Sequence, residues 1–475
     1  MTQHRFAFRI FLSAVSLLAS LPLAAQIQVQ GRVKWVDRRG PGEPGSAHPA
    51  RGVLIEICDT RLAPGAQVVA TTNTNESGQY NATVETPAGS LRDILVRARS
   101  QAPAATVQAV GTTLPYILPS AAFSAQPANA VVTADIGGNF AKTNNAAFSV
   151  LDAIVGARQY VSKMSHTDLA PVPVEFPAPG SASYFQSGQL HILLGDRWDW
   201  DVIMHEYGHY VSRCFDLDNS PGGTHYFNEN IGDRLPKSDA IRLAWGEGWP
   251  TFFAILAQKE MGMASYGIPY VGDPIYSDTE DASIDIDLSA SEGSMGEDNE
   301  VSIMRLLYQA VIESTGTHLS GASLWQVLVS AKPPHLSPAY SAMIAQLDTQ
   351  AVASVGSIAT RHRIAPGPSE PATGPSLPET PPVFNWAANG GGGLHHNNRF
   401  TLRFLARDLT LLWESAPIVS GTNYQPTADE WGALRAKNVF YWLVAGFDSD
   451  DPATGPYLSS MLNMLPASTG DGSHQ

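Results

Sequence analysis

Residues 201–215 read DVIMHEYGHYVSRCF, with two histidines four apart and a glutamate directly after the first. Ile203, Tyr207, Tyr210, Val211 and Cys214 recur at helical spacing and predict a buried stripe. Asp199 or Asp201 can cap the start of that helix. His205 and His209 then project from one side at neighbouring turns, the disposition that two metal ligands need. Glu206 lies about 100° round the helix from His205. From there it can stand over an open coordination position and hold a water rather than the ion. The competing reading is a helix whose histidines are ordinary hydrogen-bonded core or surface groups.

The spacing is H-E-x-x-H, which carries zinc hydrolase chemistry when a third protein ligand completes the site. No histidine follows six residues after His209, where Phe215 stands, so the three-histidine version is excluded. The third ligand must come from elsewhere. IRLAWGEGWPTFFAILAQ, residues 241–258, has helical spacing at Leu243, Phe252, Phe253, Ile255 and Leu256. Glu247 is its one acid, set among apolar residues and glycines. A carboxylate in such surroundings is costly unless paired or metal-bound. Its alternative is an exposed acid at a helix start.

With these residues the chain resembles the gluzincin metallopeptidases, which join H-E-x-x-H to a distant glutamate. WGEGWPTFFA is most similar to the G-E-G-W segment of the fungalysin-like branch. The resemblance covers about residues 145–360 and is specific only at the two short motifs. It implies that His205, His209 and Glu247 bind Zn²⁺ and that Glu206 is the general base. Members of this kind often place an aspartate four residues after the ligand glutamate. Thr251 stands there instead, a weaker acceptor for an imidazole N–H. The implied mechanism is a water acidified by zinc, deprotonated by Glu206 as it attacks a peptide carbonyl. His225, Tyr226, Tyr266 and Tyr270 are candidate donors to the oxyanion, each with packing or surface exposure as the alternative.

The flanks read as β-rich. Residues 26–100 alternate like a sandwich, in IQVQGRVKWV, GVLIEICDT, VVATTNTNESGQYNATVE and DILVRARS. Their order resembles the transthyretin-like, carboxypeptidase-regulatory type, which implies an accessory module. Residues 101–144 read as a connecting segment of strands and irregular structure. The run from Asn144, with Phe148, Leu151, Ile154 and Val155 in register, opens a central domain over 145–363, capped by Asn144 or Asn145. Residues 364–382, IAPGPSEPATGPSLPETPP, read as a stiff linker that holds neither helix nor sheet. Residues 383–466 resemble a fibronectin type III-like sandwich, which implies binding or spacing. His395 and His396 follow four glycines and read as a solvated pair rather than metal ligands. The fold class expected is thus multidomain: a β-sandwich, a mainly helical α+β zincin-like catalytic domain, and a second β-sandwich.

Composition narrows the partners. The 475 residues carry a formal net charge of −15, and no Lys/Arg-rich run exists, which argues against nucleic acid. Residues 1–25 read as a secretory leader, with Arg5 and Arg9 before an apolar stretch and small residues before Gln26. No later stretch is apolar and long enough to span a bilayer. The expectation is a secreted or cell-surface protein acting on a peptide or protein substrate. Cys58 and Cys214 read as two buried free thiols, although export permits a disulfide. Residues 271–300 hold ten acids and no Lys or Arg. They read as a solvated acidic loop, with Ca²⁺ as the alternative. Glu300 reads as an acid complementing a helix dipole rather than one approaching the metal helix. Two other functions stay open: an exported binding protein with a degenerate central domain, and a zinc hydrolase of non-peptide substrates.

Overall fold

A computed structural model describes residues 25–40, 42–62, 65–278, 284–291, 295–313, 319–371, 377–389, 397–419, 421–437, 439–448 and 456–464. The leader, except for Ala25, and the pair His395–His396 lie outside these residues. The described architecture mixes sheets and helices in several modules.

The N-terminal module begins with β1 (Ala25–Gly40), β2 (Glu43–Pro49), β3 (Leu54–Asp59), β4 (Gln67–Asn73), β5 (Gln79–Thr86) and β6 (Leu91–Arg99). Alternation along β1 buries Ile27, Val29, Val33 and Trp35 on one face. Its first half pairs with β5 and its second with β2. A second sheet runs β4–β3–β6 and is completed by β8 (Ile117–Pro127). The segment 101–144 is therefore more than a connection. Its β7 (Ala105–Gln108) leaves for another sheet, while β9 (Val131–Thr133) and β10 (Ile136–Gly137) return to pair parallel with β1. The boundary expected at residue 100 moves, because β6 would otherwise leave an unpaired edge.

Helix α1 (Thr143–Ser165) follows, with Phe148, Leu151, Ile154 and Val155 buried. Neither asparagine caps it. Asn145 instead exchanges two hydrogen bonds of 2.9 Å with the backbone of Val36, as a neighbouring strand would. The module is fastened to α1 by a buried ion pair: Arg51 Nε donates to Asp152 Oδ1 at 2.7 Å, and Trp35 Nε1 donates to Asp152 Oδ2 at 3.2 Å. Arg51 also reaches Tyr266 Oη at 2.8 Å. One continuous core accordingly runs from Ile27 through the central helices to Tyr457.

The central part adds β11 (Val172–Glu175), β12 (Tyr184–Gln186) and β13 (Gln189–His191), which form with β7 the sheet β12–β13–β11–β7. Then come α2 (Trp200–Phe215), α3 (Lys237–Glu260), the hairpin of β14 (Ile275–Asp278) and β15 (Ile284–Asp287), and α4 (Glu300–Tyr308). Helix α3 is buried on every side from Ala240 to Gln258, apart from half-exposed Arg242, so it is a central helix rather than an amphipathic one. Helices α5 (Gly321–Ala331), α6 (Leu336–Ile344) and α7 (Thr349–Arg361) close this part.

The C-terminal module has its own core around Phe384, Phe404, Trp431 and Trp442. The proline-dense segment expected to hold no sheet contributes β16 (Gly367–Glu370), which pairs with β17 (Phe384–Ala387). It does so at a sheet edge, where the missing proline N–H groups cost nothing. The second sheet is built on β18 (Arg399–Leu405), with β19 (Leu411–Glu414) and β20 (Ile418–Val419) on one flank. After β21 (Asn423–Tyr424) comes α8 (Ala428–Arg435), opened by a reciprocal Thr427–Glu430 capping box, and then β22 (Tyr441–Phe447), β23 (Tyr457–Leu458) and β24 (Leu462–Asn463). Leu405, Leu443, Ala445 and Leu458 pack this sheet against Ile344 and Val352 of the central helices.

Candidate metal centre

Helix α2 presents His205 and His209 one turn apart, as their spacing requires. Ile203, Tyr207 and Val211 face the core, while Tyr210 is half-buried and Cys214 exposed. The expected thiol pair is therefore one buried and one exposed free cysteine, with Cys58 accepting from the Arg97 guanidinium. The aspartates before and at the helix start do not cap it. Asp199 pairs with Arg38 at 3.2 Å. Asp201 accepts from Gln258 Nε2 of α3 at 2.6 Å and from the Ser277 N–H of β14 at 2.9 Å. Buried Asp201 thus fixes α2, α3 and the hairpin to one another.

Close backbone contact brings α3 against α2. A Cβ on Gly208 would lie 3.0 Å from both Cα and Cβ of Pro250. On the far side of α3, a Cβ on Gly248 would lie 2.9 Å from the Glu300 backbone oxygen. These glycines let α3 sit between α2 and α4 with Glu247 aimed at the two histidines. Glu247 Oε2 is 3.4 Å from His205 Nε2 and 3.3 Å from His209 Nε2. The two Nε2 atoms are 3.1 Å apart. Zinc bonds of about 2.0–2.1 Å in tetrahedral geometry place ligand atoms about 3.3–3.4 Å apart, so this donor set fits the ion.

The charges behave as a coupled group. Burial works against a charged His209, but Glu247 more than offsets it and pushes the imidazole up to about 9. Burial also works against an ionised Glu247, yet His209 and the hydrogen bonds of both histidines hold it well below the usual carboxylate range. Burial pushes the Glu206 carboxyl up, against the pull of His205 and His209. Its Oε2 is buried with no hydrogen-bond partner among the described residues. That orphan oxygen borders a cleft of about 1090 Å³, lined by Phe185, His205, His209, His225, Glu247 and Tyr276 among others.

The four expected oxyanion donors separate. His225 and Tyr226 line the cleft. Tyr266 is engaged with Arg51, and Tyr270 stacks under Arg38. His225 Nε2 lies 3.7 Å from Glu247 Oε2 and 3.8 Å from Glu300 Oε2. Glu300 is thus both in the first turn of α4 and close to the site, contrary to the simpler expectation. It is 1% exposed, both its oxygens lack hydrogen-bond partners among the described residues, and burial pushes it up to about 8. Tyr276 was not singled out from the sequence. It is buried on β14 with its ring 6.0 Å from that of His205.

The acidic run is not simply a solvated loop. Glu297, Asp298 and Glu300 are buried, and the first two accept hydrogen bonds from other segments. Among the described residues the run's acids do not gather into a cage of their own. Asp278 instead meets Asp196 and Asp199, all with ligand atoms within 4.8 Å of one another. Arg38 reaches into that group through Asp199.

Neither a protein family nor a curated protein matches the chain. Among solved structures it is similar to a 9R-lipoxygenase from Cyanothece PCC8801, with 10% identity and a TM-score of 0.16. That likeness covers 34% of this chain and 27% of the lipoxygenase. At that score it bears on neither fold nor chemistry.

Proposed function

We propose that the protein is a zinc-dependent hydrolase of the gluzincin metallopeptidase kind, exported from the cell. The observation that carries the reading is the convergence of His205, His209 and Glu247 ligand atoms within 4.8 Å beside the unpartnered Oε2 of Glu206. His205, His209 and Glu247 would hold the ion. When bound, it would supply Lewis acidity and lower the pKa of a water towards neutrality. Glu206 takes up the water's proton at its unpartnered Oε2 and delivers it to the leaving group. Burial favours the protonated carboxyl in that exchange. His225 and Tyr226, which line the cleft, would be the candidate donors to charge on the substrate oxygen.

An extended peptide suits the site better than a compact substrate. Among the described residues β12 is the edge of its sheet, and Tyr184 and Phe185 of that strand line the cleft. An edge strand offers backbone groups to an added chain.

The experiment is zinc per chain after dialysis against a weak chelator, paired with hydrolysis of an unfolded protein substrate. Wild type should hold one zinc, Glu247→Ala should lose it, and Glu206→Gln should keep it while hydrolysis falls by about 10²–10⁴-fold. A wild type that takes up no zinc would remove the reading and favour a binding protein. Zinc without peptide hydrolysis would redirect it to another substrate class.

A further inference from the structure

A buried polar contact between the C-terminal module and the central part also underlies the wall of the cleft. Tyr457 Oη, on β23, donates to Glu297 Oε2 at 2.6 Å. Glu297 is 7% exposed. Beside it, Lys237 at the start of α3 pairs with Asp448, which follows β22. The Tyr457 ring packs on Tyr340 of α6, with centroids 5.1 Å apart.

The residue after Glu297 holds the cleft loop. Asp298 accepts from Asn230 Nδ2 at 2.8 Å and from the Gly232 N–H at 3.0 Å, and its backbone oxygen accepts from the Ile231 N–H at 3.0 Å. Asn299 Nδ2 adds a bond to the Glu229 backbone oxygen at 2.9 Å. This loop carries His225, Tyr226 and Phe227 into the cleft. Strand β23, the segment 295–300 and the cleft loop therefore form one hydrogen-bonded series.

We propose that Glu297 is a proton-held latch between the C-terminal module and the cleft wall, closed in mild acid and loosened above neutrality. The device goes beyond the metal reading and does not depend on it. The groups facing Glu297 are Tyr457 and Asp448 from the C-terminal module, Lys237 from α3 and Asp298 beside it. Burial pushes Glu297 up to about 7, with Asp448 and Asp298 adding to the push, against the pull of the Tyr457 hydrogen bond and of Lys237. The closed contact thus binds its proton more tightly than an open one, whose carboxyl has the ordinary value of 4.5. The stabilisation is complete below that ordinary value and disappears as pH rises through about 7. The open–closed equilibrium then shifts on the order of 10²-fold. Leu405, Leu443 and Leu458 keep the module seated, so the opening is local.

Hydrogen exchange on the full chain, with each rate divided by its intrinsic rate, tests the latch at pH 5.5 and 8.5. At pH 5.5 the segments 225–234 and 457–463 should exchange no more than about tenfold faster in wild type than in Glu297→Gln, because an open carboxyl of ordinary value 4.5 is already ionised there. At pH 8.5 the same segments should exchange on the order of 10²-fold faster in wild type than in the variant, which keeps a neutral side chain at that position. Equal exchange at both pH values overturns the proposal. Should the variant fail to fold, wild type decides alone. Corrected exchange in those two segments must rise between pH 5.5 and 8.5 while β3 and β6 stay unchanged, and no rise overturns it.

Discussion

His205 Nδ1 lies 2.8 Å from Thr251 Oγ1, and the same hydroxyl lies 3.2 Å from the backbone oxygen of Glu247. A hydroxyl has one proton. Donating it to the Glu247 carbonyl leaves a lone pair to accept the N–H of Nδ1, which keeps Nε2 free to bind an ion. Thr251→Val should therefore keep the fold but weaken zinc binding by about tenfold or more. Competition against a chromophoric chelator reads the affinity. An unchanged affinity would show that α2 packing alone orients His205.

Arg51 and Asp152 join the N-terminal module to α1 inside the continuous core. Arg51→Met leaves Asp152 buried without its guanidinium, and breaking such a pair costs about 3–5 kcal/mol. Because the core is shared, the loss should appear in one cooperative urea transition that includes both modules. Two separated transitions, with only the first shifted, would show that the modules are energetically independent.

His362 sets an acid limit. It is fully buried, its Nε2 lies 3.1 Å from Gln309 Oε1, and burial together with Arg305 and Arg361 pushes it down to about 3. The unfolded chain takes up a proton near 6.5 that the folded chain refuses, so stability falls as pH drops below 6.5. By pH 4 the loss from this group is about 3 kcal/mol. The stability difference between pH 6.5 and 4 should shrink by about that amount in His362→Gln. Urea denaturation at the two pH values measures it, and equal losses in the two proteins would exclude the residue.

The helix pair was legible because ligand spacing and apolar spacing coincide on α2, and because Glu247 was the one acid in an apolar run. The partners of the aspartates were not. Asp199 and Asp201 sit where capping residues sit, yet Arg38 and Gln258 claim them from 161 and 57 residues away. Local pattern cannot register such long-range competition. Tyr276 and the burial of Glu297–Glu300 escaped for the same reason. An acidic run with no basic residues reads as solvated until hydroxyls, amides and backbone N–H groups from other segments are brought to it. The proline-dense segment misled in another way, since proline forbids a central strand but not an edge.

The contact of Gly208 with Pro250 makes the donor spacing a property of two backbones. His205 and His209 ride on one, Glu247 and Thr251 on the other, and the first atoms a Cβ at position 208 would meet belong to Pro250, ahead of the Phe253 ring edge at 3.2 Å. The gauge of the cage is therefore insulated from drift in the surrounding apolar residues. Those residues can exchange for others of similar volume without retuning the spacing of the three donor side chains, whereas a single methyl group at position 208 would press the two frames apart.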